Sequence, residues 1–472
     1  MTMQISFIGH ASILIESNGV RILSDPWWRG PCFGAQWWNY PLPDITPLER
    51  KVDYIYVSHG HHDHFHPGTL KTLDRDAKVL VSRQIGIAGH IRELGYDVIE
   101  ISDEEERTLE GGLKVRIVET HGADTLLSVS DGKSVCVNLN DALHSAGEEI
   151  QDKFIALLQS YYPQIDYLFC GYGVASHFPN CYRIPGKDPI ATAGKRQAYF
   201  NRRWVNITSK LQPSFAFPFA ADVVLLEDDL IELNEPTHNL ERPTDVFRQA
   251  FPHSRTVVMD IAPGFQITDG SVTRAVDRHS VSVSQLRTDC AEKIARANEY
   301  GTGTDAAFED VLKLVRDNVS RCTAYLREYV GDYRFLLKFR NYARGILIVK
   351  RDNTITVEPH VGSATTAPDV TYITRLQYIR WSLTSEFGHE ILFVGSGGIF
   401  EYATRAKAEQ NVHRELMVML VPHKTAPTSR FGNQPRWKYQ LKRTIRRMLG
   451  HGATDLYDLS TWTAWKAPLS KS

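Results

Sequence analysis

The stretch Ser58-His59-Gly60-His61-His62-Asp63-His64 crowds imidazoles and a carboxylate together directly after the apolar run Val52-Asp53-Tyr54-Ile55-Tyr56-Val57. In extended backbone His59 and His61 project to the same side, and Asp63 and His64 follow in the turn to close over the same point. Imidazole and carboxylate donors suit zinc first, with iron or manganese as alternatives. A divalent cation with an open position lowers the pKa of bound water toward neutrality and polarises a substrate oxygen. Asp63 is the candidate general base, accepting a proton from that water or ligating while it orients it. His62 and His66 are expected to point away from the cation into solvent.

Aiming these side chains requires a buried strand that stops at Ser58, and residues 52–57 read as one. Residues 4–16 and 19–26 read as two strands joined by an Asn18-Gly19 turn, the second ending on Asp25. A strand over 113–120 leads to His121, and a hairpin over 126–139, turning at Asp131-Gly132, leads to Asp141. Further strands are expected at 79–82, 167–171, 215–219 and 257–261, with helices at 67–73, 85–94, 148–159 and 195–211. This alternation predicts an α/β sandwich over residues 1–275. Residues 280–330 read as helical, and 345–402 mix short strands with a helix over 376–385. Residues 276–472 are therefore expected to form a helical plus α+β accessory region.

The order His-x-His-x-Asp-His resembles the motif of the metallo-β-lactamase fold, and the chain is identified as similar to that family. The resemblance implies an αββα sandwich with a mono- or dinuclear site. It implies His59, His61 and His121 around a first metal, Asp63 and His64 on a second, and Asp141 as a bridge. Asp25 then orders the ligands from behind. The closing ligand stays open among Asp222, His177 and His238, because Phe217 runs into Pro218, which cannot ligate. Within the fold the chain resembles CMP-N-acetylneuraminate hydroxylases and, more distantly, phospholipases D acting on N-acyl-phosphatidylethanolamines. Gly9-His10-Ala11, Asp25-Pro26-Trp27-Trp28, Trp37-Trp38, Ala175-Ser176-His177-Phe178-Pro179, Pro218-Phe219-Ala220 and Ala262-Pro263-Gly264 carry that likeness. The hydroxylases hold a Rieske cluster on paired Cys and His ligands. The six cysteines here form no Cys-x-His or Cys-x-x-His pair.

These features favour a metal-dependent hydrolase that uses metal-bound hydroxide on an ester, amide or phosphoester of a sugar, nucleotide or lipid. An iron-dependent monooxygenase fed by a separate reductase, and a non-catalytic binding module, are the alternatives. Trp27 and Trp28 are candidate substrate contacts through their aromatic faces. His177 is a candidate for substrate binding, for metal ligation or for stabilising a developing oxyanion. His10 reads as a hydrogen-bonded structural histidine.

At 472 residues, 42% of them hydrophobic, the chain has material for two or three domains with sizeable cores. A formal charge of −1 gives no drive toward nucleic acid. No apolar run approaches the ~20 residues of a membrane span, no leader is read at the N-terminus, and the cysteines are scattered. A cytoplasmic protein with a small-molecule substrate is expected. The basic stretch 436–449 reads as an exposed helix with a solvated charged face, with contact to an anionic membrane surface as its alternative.

Overall fold

The computed structural model describes residues 2–120, 124–174, 180–277, 280–299, 304–329, 332–352, 354–362, 367–385 and 388–409, together with Leu420. Two sheets face one another. The first has eight strands, in the order Ser271–Arg274, Gln266–Thr268, Gln4–Gly9, Ser12–Ser17, Val20–Ser24, Tyr54–Tyr56, Lys78–Ser82 and Val98–Ile101. The second has seven, in the order Val257–Val258, Phe215–Phe219, Tyr167–Gly171, Val135–Asn138, Thr125–Ser130, Lys114–Glu119 and Glu106–Thr108. Alternation along the strands turns Phe7 and Ile13 of one sheet toward Ile117, Leu127, Phe169 and Phe217 of the other, forming a shared core.

Helices cover both outer faces. Ile155 and Leu158 of helix Glu148–Tyr161, with Trp204 and Leu211 of helix Pro189–Leu211, pack on Val137 and Leu168 of the second sheet. Leu70, Ile87 and Ile91 pack on Ile55, Val79 and Val81 of the first. The result is the αββα layering expected from the sequence. Helix Pro189–Leu211 starts earlier than the expected residue 195 because Asp188 accepts from Ile190 N at 2.9 Å and Pro189 sits in the first turn.

One expected strand is broken. Residues 4–16 are not continuous but reverse at Gly9-His10, so that Phe7 pairs with Ile13. Gly9 has φ +151° and His10 φ +49°, and a Cβ on Gly9 would meet Pro43 at 3.2 Å. The reversal is what carries His10 to the sheet end. The strand expected over 257–261 shortens to Val257–Val258, and the helical stretch divides into Val283–Asp289, Ala291–Glu299 and Asp305–Tyr329.

A third sheet has six strands, in the order Tyr182–Arg183, Gly398–Tyr402, Val370–Thr374, Tyr333–Phe339, Arg344–Arg351 and Thr354–Val361. Its edge strand Tyr182–Arg183 comes from between two elements of the sandwich and pairs in parallel with Phe400 and Glu401. Phe308, Val311 and Val315 of the long helix pack on Phe335, Leu337 and Ile348. Trp27, Phe33 and Trp37 share a cluster with Ile399, so the tryptophan-rich loop lies between sandwich and third sheet. Among the described residues no helix is long and apolar enough to cross a membrane. The basic stretch 436–449 lies outside the described residues.

Candidate metal centre

Four strand ends deliver donors to one corner. Tyr54–Tyr56 runs into the histidine-rich turn, Val20–Ser24 into Asp25, Val135–Asn138 into Asp141, and Thr125–Ser130 begins after Asp124. The turn at Gly9-His10 adds a fifth group. One ligand atom from each of His59, His64 and Asp141 lies within 4.8 Å of the others. The same holds for His59, His61 and Asp124, and again for His10, Asp63 and His64. The three sets overlap through His59 and His64, which gives one continuous nest of imidazoles and carboxylates.

The nest is ordered from behind by Asp25, which is fully buried. Its carboxylate accepts from Ser58 N at 2.8 Å and Ser58 Oγ at 2.7 Å, and it lies 2.9 Å from His64 Nδ1. A proton on Nδ1 facing that carboxylate leaves His64 Nε2 with a lone pair, 3.4 Å from both Asp63 Oδ2 and Asp141 Oδ2. Ser58 Oγ is also 2.9 Å from His59 Nδ1, and His59 Nε2 is 2.8 Å from His61 Nδ1. Asp63 Oδ2 lies 3.0 Å from His10 Nε2.

The donors fit a divalent cation. His64 Nε2, Asp63 Oδ1 and His10 Nδ1 are buried with no hydrogen-bond partner, a costly condition that a cation relieves. Two imidazole nitrogens at 2.8 Å can share only one proton, whereas both can ligate. The electrostatics agree. Burial, then the neighbouring His64, pushes His59 down to about 4, and burial with His59 does the same to His61. Both are therefore neutral near pH 7, as ligands must be. Burial also disfavours charge on His64, but Asp63, Asp141 and Asp25 outweigh it and raise its pKa well above the usual range, so that without a cation a proton occupies Nε2, the place a cation would take. Asp63 and Asp141 are held below the usual carboxylate range against their own burial, with the His64 charge the main opposing force. A concentrated negative field thus asks for positive charge at this point.

Among the residues marked out by sequence, His59, His61, Asp63, His64 and Asp141 come together here. His121 and His177 lie outside the described residues. Asp222 is buried at the head of strand Val223–Leu225 and joins none of the three sets, while His238 places Nε2 2.7 Å from Val223 O. Trp27 is fully buried, with its indole donating to Gly30 O and its ring edge-on to His10 at 5.2 Å. Trp28 is half-buried, and its backbone donates to Thr69 Oγ1.

The histidines expected in solvent are not there. His62 Nδ1 accepts from Phe33 N at 3.2 Å, and the buried His66 caps helix Pro67–Leu70 by accepting from Thr69 N at 3.0 Å. Each orphan donor found a side-chain acceptor nearby.

Sequence reasoning assigned no ligand role to His10 and overlooked Asp124, His144 and Glu390. Gly9 was the available signal for His10, since a glycine before histidine permits the reversal. Asp124 sits in the same connection as His121. His144 Nδ1 bonds Asp141 O, and its ring lies 5.2 Å from Phe200. Glu390 arrives from beside the third sheet, where burial, then the charge of Asp63, pushes its carboxyl up to about 8. No local pattern announces it.

Comparison with known proteins gives a concordant picture. Residues 4–142 match the Beta-lactamase superfamily domain, a span that holds every residue of the three ligand sets. The chain is 30% identical over 251 residues to the "Putative Rieske 2Fe-2S iron-sulfur protein" of Mycobacterium tuberculosis, covering 49% of this chain and 46% of that one. It therefore spans about half the length of the curated relatives it matches. It is 40% identical over 75 residues to the cytidine monophosphate-N-acetylneuraminic acid hydroxylase of Mus musculus, covering 16% of this chain and 13% of that one. Among solved structures it is similar to a metallo hydrolase of Ignicoccus hospitalis, with 20% identity, a TM-score of 0.37, and 57% of this chain and 98% of that one covered.

Proposed function

We propose that the chain, whose residues 4–142 match the Beta-lactamase superfamily domain, is a metalloenzyme that hydrolyses an ester, amide or phosphoester of a sugar, nucleotide or lipid. The observation that carries this reading is the unsatisfied nest itself: three buried polar atoms without partners, inside a field that demands a cation. His59, His61 and Asp124 would hold one ion, and His64 with Asp63 or Asp141 a second. A bound divalent cation supplies an acidified water and a polarised substrate oxygen. We favour zinc, with iron or manganese as alternatives.

The chain's own groups supply the rest. Asp63 is placed to accept a proton, and His10 Nε2, 3.0 Å from Asp63 Oδ2, holds the carboxylate in position. Asp25 and Ser58 fix the rotation of His64 and His59, so that their lone pairs stay aimed inward. Beyond the cation, hydrolysis needs only these groups and water.

A second reading, iron-dependent hydroxylation, is favoured by the hydroxylase and Rieske likenesses. It needs electrons in addition. With no Cys-x-His pair in the chain, a separate reductase would have to deliver them.

Zinc-loaded and iron-loaded protein assayed on bis(p-nitrophenyl) phosphate, p-nitrophenyl acetate and an acyl amide separates the two. Hydrolysis that disappears in His61→Ala supports the first reading. Oxygen uptake confined to iron-loaded protein with a reductant, without hydrolysis, replaces it with the second.

A further inference from the structure

Glu390 opens the short helix Glu390–Phe393, which leads into strand Gly398–Tyr402 of the third sheet. Its backbone oxygen accepts from Val394 N at 2.8 Å and from Gly395 N at 2.9 Å, which ties the helix to the turn behind it. That turn is pressed against the tryptophan-rich loop. A Cβ on Gly395 would collide with Phe33 Cβ and Gln36 Oε1, and one on Gly397 would meet Gln36 Nε2 at 2.8 Å. Tyr378, from the neighbouring helix Leu376–Thr384, donates to Gly34 O. Such close packing fixes how the two parts meet.

Phe33 also touches the ligand turn. Its N–H donates to His62 Nδ1 at 3.2 Å, and its ring stands edge-on to that imidazole at 6.0 Å. Cys32 Sγ donates to His62 O at 3.1 Å, and Asp63 follows in the chain. One loop thus holds Glu390 on one flank and Asp63 on the other. The accessory region supplies a wall of the metal corner, and Glu390 stands on it.

Glu390 is half-buried, and among the described residues no hydrogen bond or ion pair reaches its carboxyl. Burial first, and the charge of Asp63 second, push it up to about 8, so its hydration is incomplete and the charge that reaches it has its own sign. Elsewhere in this region a buried carboxylate is answered from within, as Glu227 is by Arg340 and Arg375. A loaded metal corner would not answer Glu390 either. Two divalent cations are balanced by Asp25, Asp63, Asp124 and Asp141, leaving no net positive charge. What is missing is positive charge with N–H donors, which satisfies both the field and the empty acceptor sites. A phosphate or carboxylate at this place would be repelled, and a neutral donor would gain roughly half as much.

We propose that Glu390 is a substrate-binding residue contributed by the accessory region, and that it takes a cationic nitrogen, an ammonium or a guanidinium, of the substrate whose scissile bond lies at the metal corner. The assignment rests on the hydrolase reading for its link to turnover, and it narrows the substrate to one that bears such a group.

Saturation-transfer NMR on the zinc-loaded full chain at pH 7 tests it without reference to turnover. The probes are benzylamine, protonated at that pH, and benzyl alcohol, which has the same shape and no charge. Benzylamine should bind at least about tenfold more tightly. Glu390→Gln, which keeps the shape and removes the charge, should bring the two within about twofold, and Glu390→Asp should restore most of the preference. Zinc content and melting of Glu390→Gln should match those of the unsubstituted protein, since neither ligation nor packing is assigned to this carboxylate.

A protein that favours neither probe, or a preference for benzylamine that survives in Glu390→Gln, overturns the inference. So does a loss of zinc in Glu390→Gln, which would make Glu390 a ligand instead. A preference that depends on Glu390 in a protein that hydrolyses nothing sinks the hydrolase reading and leaves the inference standing. An active hydrolase indifferent to the charge of its ligand does the opposite.

Discussion

Glu227 and Asp63 are both carboxylates sealed from solvent, at 1% and 2% exposure, and their surroundings are completed in different ways. At the junction with the third sheet, Glu227 Oε1 accepts from Arg375 Nε at 3.1 Å and Oε2 accepts from Arg340. The remaining nitrogens of Arg375 donate to Asn298 O at 2.7 Å and Ala297 O at 2.9 Å. Each nitrogen of Arg375 and both oxygens of Glu227 have a protein partner, and among these groups only Arg340 Nε is left without a hydrogen bond or an ion pair. In the histidine corner, by contrast, Asp63 Oδ1, His64 Nε2 and His10 Nδ1 are left unmet. A buried charge that the chain neutralises by itself joins elements together, and one that the chain leaves open waits for something from outside.

The contrast can be broken from either side. Arg375→Met leaves Glu227 Oε1 without its donor while Arg340 still holds Oε2, and should cost about 1–3 kcal/mol in denaturant unfolding while leaving metal content unchanged. His61→Ala or Asp141→Ala should do the reverse, lowering bound metal to about a tenth or less and abolishing turnover with near-normal unfolding of the metal-free protein. Full activity in either variant would remove the corner from the mechanism. Asp25→Asn keeps its shape and weakens the acceptor behind His64, so metal affinity should fall about 10- to 100-fold in chelator competition.

The smallest effect concerns pH. His59 and His61 titrate at about 4 when folded and near 6.5 when unfolded. Between those values the unfolded chain binds protons that the folded chain refuses. Stability of the metal-free protein from this pair is thus complete above about pH 6.5 and is lost as pH falls toward 4. His64, raised in the folded state, has the opposite sign, and its contribution is lost as pH rises through its folded value. Urea midpoints measured from pH 4 to 8 after chelation should rise with pH at the acid end. A flat or falling profile there would contradict the protonation states assigned to the pair.

Much of this corner was legible because its determinants are local. The order His59 to His64 after a buried strand, and the Asp131-Gly132 turn ahead of Asp141, state their geometry within a few residues. His10 was harder, because Gly9 reads as a strand residue until its positive φ is known. His62 and His66 were misjudged because exposure depends on Phe33 and Thr69, partners that no periodicity reveals. Long-range pairing was not legible at all. Nothing near Tyr182 indicates that it will pair beside Phe400, and nothing near Glu390 indicates that it will feel the charge of Asp63. Those facts arise only when separate cores dock.

The most direct measurement is elemental analysis of protein purified without added metal, compared with its Asp141→Ala variant. One or two zinc or iron ions per chain in the first, and a small fraction of that in the second, is the expected result. Metal-free protein that takes up no zinc or iron on addition, or equal metal in both proteins, would contradict it.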